Sequence, residues 1–474
     1  MDKLKLFLEN FIIYGFSGII SKIIPLIMVP IVTRLMPNAT YYGISDMSNT
    51  IVSLGSAIAI MGMYDAMYRM FFEKENSEYQ KNICSTAFAF TLFTSLAVFL
   101  ALVILKDFIA QVFFGSKDYA YLVYITAIAT LVGASNSIVS APTRMQNKRE
   151  IYLIMNTVTP ILSYSISIPL LINGYYIIAL PLAGLVSSLA NELVFLFLNK
   201  QWFSLRKIDF SCLKPMLKLA IPLLPNFLIY WIFNSSDRLM ITNLIRTDAT
   251  GIYSVGPKLG QASQLIYTAF AGGWQFFAFS TMRDKNQVKI NSNIFEYLGI
   301  ISYGFTVFVF ALSEPIYNLL FTGEYVNGFI VAPYLFLAPL LQMLFQVACN
   351  QFLVVKKTWP NFFILFGGAM INVILNFILI PVIGIEGAAI ATLIGYVASD
   401  IVVVIVLEKM KLMDMNFSFI LASIIMLGFI IGWRLCWMHN ILLSVLLAAF
   451  CCILFVYLYR NDVHKLIQML RGNS

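Results

Sequence analysis

Charge is scarce in this chain of 474 residues: only 11% are Asp, Glu, Lys or Arg, while 60% are hydrophobic. A soluble globular domain carries about 25% charged residues, and no single core could hide so much apolar surface, so the solvent for most of the chain is a lipid bilayer. Histidine is scarcer still, with His439 and His464 alone. No HxxxD, HExxH, P-loop or GxSxG signature stands in a usable context, so no base or metal-ligand cluster is available to a membrane acyl- or glycosyltransferase. No catalytic residue and no metal ligand is therefore assigned, and the chain reads as a non-enzyme. The six cysteines, Cys84, Cys212, Cys349, Cys436, Cys451 and Cys452, lack CxxC or Cys/His spacing and read as inert thiols in apolar segments. Long polar segments are absent too. The longest loop between apolar runs is about 18 residues, well short of a soluble domain, so whatever the protein does happens within the membrane.

What is present is a series of apolar runs. A helix needs about 20 apolar residues to cross the bilayer, and cutting the chain at charged and turn-forming interruptions gives about fourteen spans. Their expected limits are 11–33, 43–65, 83–105, 119–141, 151–172, 176–199, 217–244, 251–276, 294–314, 328–354, 361–382, 386–407, 417–434 and 440–459. The first run follows Lys3 and Lys5, is too long for a signal peptide and has no small-residue cleavage site, so it is expected to be an uncleaved span. The net charge of +8 is spread through the short loops instead of being gathered on one face, which argues against nucleic acid as a partner and for anionic membrane lipid. With the N-terminus inside, about 23 of the 31 Lys and Arg fall in inner loops and about 5 in outer ones. Both termini are accordingly expected in the cytoplasm. The inner loops include Arg144/Lys148/Arg149, the stretch from Lys200 to Lys218, Arg283/Lys285/Lys289 and Lys356/Lys357.

The chain also repeats. At an offset of about 208 residues, Gly43-Ile44 overlays Gly251-Ile252, Phe113 overlays Phe321, Gly115 overlays Gly323, Lys148-Arg149 overlays Lys356-Lys357, and Glu192 overlays Asp400. Each half then holds six spans. Because six is even, the halves enter from the same side and are related by an axis along the membrane normal, as in many carriers. The expected organisation is an N-terminal lobe over 1–199, an inter-lobe loop over 200–218, a C-terminal lobe over 219–409 and two appended helices with a tail over 410–474.

An ionisable group at the centre of a membrane helix costs about 2.5 to 3.5 kcal/mol, so those that persist usually face a cavity or a partner. Lys22 lies mid-span between Gly18 and Pro25. In the seventh span Asn226, Tyr230, Asn234 and Asp237 share a helical face, with Trp231, Ser235, Arg238 and Thr242 beside it. The eighth carries Ser254, Lys258, Gln261, Thr268 and Gln275, and the tenth Gln342, Gln346 and Asn350 at i, i+4, i+8. Such stripes either line a cavity or glue helices together. As cavity walls, Lys22, Asn234, Asp237, Arg238, Lys258, Gln261 and Gln346 suit an anionic substrate such as a phosphate or pyrophosphate. The alternative for Arg238 is a simple pair with Asp237 or Asp46, and for Lys258 an outward-snorkelling side chain. Glu192 and Asp400 could take up a proton or Na⁺ and couple an ion gradient to transport, or pair with cations near the inner face. Apart from such a coupling ion, no cofactor is expected.

Several segments carry a family resemblance: Gly18-Ile-Ile-Ser-Lys-Ile-Ile-Pro25, Pro30-Ile-Val-Thr-Arg-Leu-Met-Pro37 on to Tyr42-Gly43, Gly62 to Arg69 with Phe71-Phe72-Glu73, Ala220-Ile-Pro-Leu-Leu-Pro225 with Asn234-Ser-Ser-Asp-Arg238, Gly251-Ile-Tyr-Ser254, and Asn372 to Pro381 with Gly387-Ala-Ala-Ile-Ala-Thr392. Together they resemble the O-antigen and capsule polysaccharide flippases of the multidrug/oligosaccharidyl-lipid/polysaccharide exporter superfamily. The resemblance implies an all-α polytopic protein of two six-helix lobes plus two helices, around a cavity open to one side at a time. It implies as cargo an undecaprenyl-diphosphate-type lipid-linked oligosaccharide, carried across the bacterial cytoplasmic membrane with H⁺ or Na⁺ antiport, for a polysaccharide polymerase and chain-length machinery outside. Two other readings are a multidrug exporter of the same superfamily, whose cationic cargo Lys22, Arg238 and Lys258 would repel, and a membrane transferase acting on the same lipid carrier.

Overall fold

The computed structural model describes residues 21–280, 286–355, 357, 359–462 and 464. Residues 11–20 of the first expected span, the loop residues Arg283, Lys285 and Lys356, and the side chains of Thr268 and Gln275 lie outside the described set. The described residues are almost entirely helical, without a strand. After α1 (residues 21–35) come α2 (Ala39–Ile60), α3 (Met63–Phe71), α4 (Ser77–Ile104), α5 (Lys106–Phe114), α6 (Ala120–Met145), α7 (Arg149–Ile172), α8 (Ala179–Asn199), α9 (Phe210–Ala220) and α10 (Leu224–Leu244). These are followed by α11 (Thr247–Val255), α12 (Pro257–Ser280), α13 (Gln287–Leu320), α14 (Ala332–Val354), α15 (Trp359–Ile383), α16 (Ile385–Lys409), α17 (Phe417–Gly432) and α18 (Ile441–Leu458).

Side-chain caps mark where several of them begin. Asn38, Asn76, Asp209, Asn416 and Asn440 each accept a backbone N–H from the first turn of α2, α4, α9, α17 and α18, satisfying donors that would otherwise face lipid or its interface without a partner. Over its described residues, every expected span coincides with helix. Eleven described helical stretches are long and apolar enough to cross a membrane, and twelve if the pair α2 and α3, bent by 48° at its break, is one span. The two remaining expected spans are α1, described only in part, and α11–α12, where Lys258, Gln261 and Gln264 dilute the apolar character. At the break Met61 and Gly62 both take the left-handed conformation, at φ 50° and 75°. Glycine is the residue that does so without strain.

The chain divides into two compact units, one reaching Ser254 and taking in Asn376–Ile385, the other comprising Val255–Leu375 and the chain from Glu386 onward. In the first, α2, α4, α6 and α8 pack closely. Small residues permit the approach: Gly55 faces the Thr130 side chain, and Gly133 faces Ser56. The repeat is visible within this unit. Gly43 on α2 abuts the Thr247 carbonyl and the Gly251 nitrogen on α11, and Gly251 abuts the Ala39 carbonyl and the Gly43 nitrogen. Thr247 follows Ala39, Gly251 follows Gly43 and Ser254 follows Asp46 by the same 208 residues, the separation at which the Ser254 hydroxyl donates to Asp46 Oδ2 at 2.7 Å. Gly43 and Asp46 touch their own repeat mates, and Ala39 and Thr247 each touch the mate of the glycine on their own helix, as isologous contacts across a two-fold axis do. A Cβ on Gly251 would overlap main-chain atoms that cannot rotate away, so Gly251→Ala should cut the yield of monodisperse protein severely in a detergent extract. The control is Gly184→Ala, where a Cβ meets nothing within 4 Å.

The segment expected as the inter-lobe loop contains short helices. After two short helical turns, Asp209 caps α9, whose Cys212, Met216 and Ala220 bury against Met63, Ala66, Met67 and Met70 of α3. In the second unit α13 is a spine of 34 residues. Helices α17 and α18 are fixed to it by polar contacts: Glu296 accepts the Asn416 N–H at 2.7 Å and the Tyr459 hydroxyl at 2.8 Å, and Tyr303 bonds Ser423 at 3.1 Å. Arg434, at the end of α17, donates through Nε to both oxygens of the buried Glu386 at 2.6 and 2.8 Å, while Tyr334 donates to the same carboxylate at 3.0 Å. Buried groups so fully engaged hold apolar helices in one register.

Candidate functional site

The first unit contains a cavity of about 490 Å³ beside the break between α2 and α3. It is lined by Ser53 and Ser56 of α2, Tyr64 and Asp65 of α3, Ser137, Ser140 and Arg144 of α6, Tyr152 of α7 and Phe227 of α10. The two serine pairs stand three residues apart on their helices, so each pair shares a face. Their hydroxyls donate to backbone carbonyls: Ser53 to Thr50 at 2.9 Å, Ser137 to Gly133 at 3.0 Å, and Ser56 to Thr130 and Ser140 to Ser137 at 3.4 Å. With the proton so engaged, what each hydroxyl offers the cavity is an acceptor lone pair. Arg144 Nη1 donates to the Tyr64 hydroxyl at 3.0 Å, and the guanidinium lies 5.2 Å from the Tyr152 ring centroid. A cation held by one aromatic hydroxyl and laid over another ring is oriented before any ligand arrives. The cavity thus combines one anion-binding group, one carboxylate and a wall of acceptors and aromatic faces, a set matched to a phosphorylated, hydroxyl-rich molecule.

The site residues expected from the sequence fall elsewhere. Lys22 is half-buried on α1. Asn234, Asp237 and Arg238 come together on α10, in a network with α2 and α11. Arg238 Nε stands 2.8 Å from Asp46 Oδ2, off the N–H axis and so an ion pair more than an aligned hydrogen bond, and Nη1 donates to the Asn234 carbonyl at 2.8 Å. Asp237 accepts the Arg238 backbone N–H at 2.8 Å and the Tyr253 hydroxyl. The structure therefore realises the pair with Asp46 that was one of the two readings of Arg238. The Asn234 amide donates back to the Tyr230 carbonyl at 2.7 Å. Glu192 sits half-buried on α8 near the Ser135 hydroxyl. In the second unit Lys258 is half-buried on α12. Gln261 and Gln346 lie on α12 and α14, which pack together, each with its amide oxygen buried and without a hydrogen-bond partner among the described residues. Asp400 on α16 is 8% exposed, close to Tyr303 and Cys349, and neither of its oxygens has a hydrogen-bond partner among the described residues.

Three features escaped the sequence. Arg144 read as a topology-setting loop cation, although the serines one and two turns before it mark its helix face as polar. The Asp46–Ser254 contact lay on the repeat offset but was not drawn from it. Glu386 and Arg434 are 48 residues apart, with no local signal joining them.

This fold is shared with solved flippase and transporter structures. The chain is similar to a structure of the lipid II flippase MurJ in an inward closed conformation, at 17% identity and a TM-score of 0.71 over 96% of this chain and 100% of that one. It is similar also to an inward-facing multidrug resistance MATE family transporter of the MOP superfamily, at 14% identity and a TM-score of 0.62 over 83% and 98% of the two chains. A MATE structure in the straight conformation matches at 13% identity and a TM-score of 0.59, over 86% and 96%. No curated protein matches the sequence. The profile of the polysaccharide biosynthesis protein family matches residues 31–328, more than half of the chain, and the protein belongs to that family.

Proposed function

We propose that this protein is a flippase that carries polyprenyl-diphosphate-linked oligosaccharide units from the inner to the outer face of the bacterial cytoplasmic membrane by alternating access. The observation that carries the reading is the Arg144 cavity: a fixed guanidinium beside acceptor-rich walls suits a diphosphate joined to a glycan, while the prenyl chain stays in lipid. Membership of a polysaccharide biosynthesis family and a fold shared with a lipid II flippase support it. A multidrug exporter of the same fold is the second reading, but a cationic amphiphile would meet Arg144 at the mouth of that cavity. In the proposed cycle the contact of Gly43 with Gly251, together with Asp46 and its partners Ser254 and Arg238, is the seam that parts when the cavity opens outward. The lobe boundaries at 199 and 219, both termini in the cytoplasm, and a polymerase with its chain-length machinery as downstream partners belong to the same proposal, as do Lys22, Lys258, Gln261 and Gln346 as further cavity groups.

Expression in a bacterium lacking its own polysaccharide flippase tests the reading, with surface polysaccharide as the readout. Restoration supports it; drug resistance without polysaccharide would favour the exporter. Asp400 and Glu192 are the groups we assign to ion coupling. Asp400 is a buried carboxylate with no hydrogen-bond partner among the described residues; such a group is uncharged or bound to a cation, and exchange with either side would tie its occupancy to the cycle. Asp400→Asn should therefore flatten the dependence of glycan export on the ion gradient while the protein stays in the membrane. Retention of the full dependence would remove Asp400 from the coupling site.

A further inference from the structure

Residues 200–218 carry five cations, Lys200, Arg206, Lys207, Lys214 and Lys218, and one acid, Asp209. They are not a free linker. Ser85 on α4 donates to the Trp202 carbonyl at 3.3 Å and accepts the Ser204 N–H at 3.0 Å. Thr86 beside it does the same for Asp209, at 3.3 and 3.0 Å. Lys207 pairs with Glu78 of the same helix, and Trp202 and Phe203 set their rings against Phe71 and Phe88. The Asp209 carboxylate is occupied by the Ser211 hydroxyl at 2.6 Å and backbone N–H at 2.9 Å, which hold its pKa below the usual range. What the segment turns away from the protein is a mixture of cations and large apolar side chains. With Cys212, Met216 and Ala220 buried, the opposite face of α9 presents Phe210, Lys214 and Lys218 at i, i+4, i+8, and Arg206 stands exposed beside Leu205. Leu205 and Phe210 are 85% and 76% exposed.

Large apolar side chains so exposed among cations would be unfavourable in water, but they fit the interface of a bilayer, where rings and aliphatic chains enter the acyl boundary and cations meet phosphate. The segment joins the ends of two membrane helices, α8 and α10, and so lies at that depth. We infer that residues 200–218 form a docking surface for anionic phospholipid headgroups of the leaflet in which α8 and α10 end, held rigidly to the first unit through Ser85, Thr86 and Glu78. The cation excess and the two interleaved apolar residues choose this occupant over an acidic protein, which would need no Leu205 or Phe210. The inference needs the chain to be embedded in a membrane, not that it flips a glycan.

The test is retention of phosphatidylglycerol against phosphatidylcholine by the full-length protein, read by native mass spectrometry and from nanodiscs of both compositions. The wild-type protein should retain phosphatidylglycerol preferentially, and R206Q/K214Q/K218Q should lose that preference by about fivefold per charge removed. L205S/F210S keeps every charge and should weaken retention of both lipids. Both variants alter exposed positions and leave the Ser85, Thr86 and Glu78 contacts in place. Equal retention of the two lipids by wild type, or an unchanged preference in the triple variant, would overturn the proposal. Displacement of the lipid by equimolar soluble glycerol phosphate would overturn the bilayer as the source of the phosphate, and tighter binding of polyglutamate than of the anionic nanodisc would overturn lipid as the occupant.

Discussion

Arg238→Ala should deplete the protein from the membrane fraction instead of leaving a folded but inactive carrier. The guanidinium is the counter-charge to Asp46 at 2.8 Å, and its own backbone N–H is bonded by Asp237, which is 4% exposed. Removing it leaves the half-buried Asp46 and the buried Asp237 without their counter-charge, Asp46 accepting from Ser254 and Asp237 from Tyr253 and a backbone N–H. Breaking a buried pair from one side costs about 3 to 5 kcal/mol, a large part of a stability margin of about 5 to 15 kcal/mol. Immunoblotting of membranes and size-exclusion of the detergent extract measure the loss. Adding Asp46→Asn should recover part of it, because the amide removes one uncompensated charge while still accepting from Ser254. Normal abundance of Arg238→Ala with export abolished would instead return Arg238 to the cargo site.

Arg144→Ala should behave in the opposite way, with protein abundance kept and polysaccharide export lowered by about 10- to 100-fold. Arg144 is exposed at its edge of the cavity and supports no core, so its loss leaves the helices packed. A charge-assisted bond to a phosphate is worth about 1.5 to 3 kcal/mol, which sets that range. Arg144→Lys keeps the charge but neither the planar fork nor the stacking on Tyr152, and should recover only part of the activity. Surface polysaccharide in the complemented strain, normalised to membrane abundance, gives the answer. Export at the wild-type level by Arg144→Ala would remove this cavity from the path of the cargo.

The two variants separate what a buried cation means in this protein. Arg238 drew attention in the sequence because it interrupts an apolar span, and burial of that kind is the mark both of a ligand site and of a helix-to-helix tie. The sequence left both readings open, since the choice depends on whether an acid from another helix lies within reach. Asp46, 192 residues away in the chain, supplies that acid. Arg144 lay in a run of loop cations, where orientation in the membrane explains a positive charge completely, so nothing local distinguished it from its neighbours. Only the backbone break at Met61–Gly62 opens space beside it and brings Tyr64 to its guanidinium.

Helix positions were legible because each apolar run must satisfy its own backbone hydrogen bonds in lipid, a constraint that acts locally and leaves its mark in composition. The 208-residue repeat was legible for a related reason: glycines, loop cations and buried acids recur wherever the same packing recurs. How the inter-lobe segment is held was not legible, because its hydroxyl partners Ser85 and Thr86 lie on another helix. By itself the sequence determined the solvent, the order of the apolar spans, the internal repeat and the absence of a recognisable catalytic constellation. Tertiary structure alone decided which charges are paired, which glycines meet, how α9 and the last two helices are held, and where a cavity opens. Those depend on distances between residues far apart in the chain, and hydropathy, which measures each segment against lipid, contains no information about them.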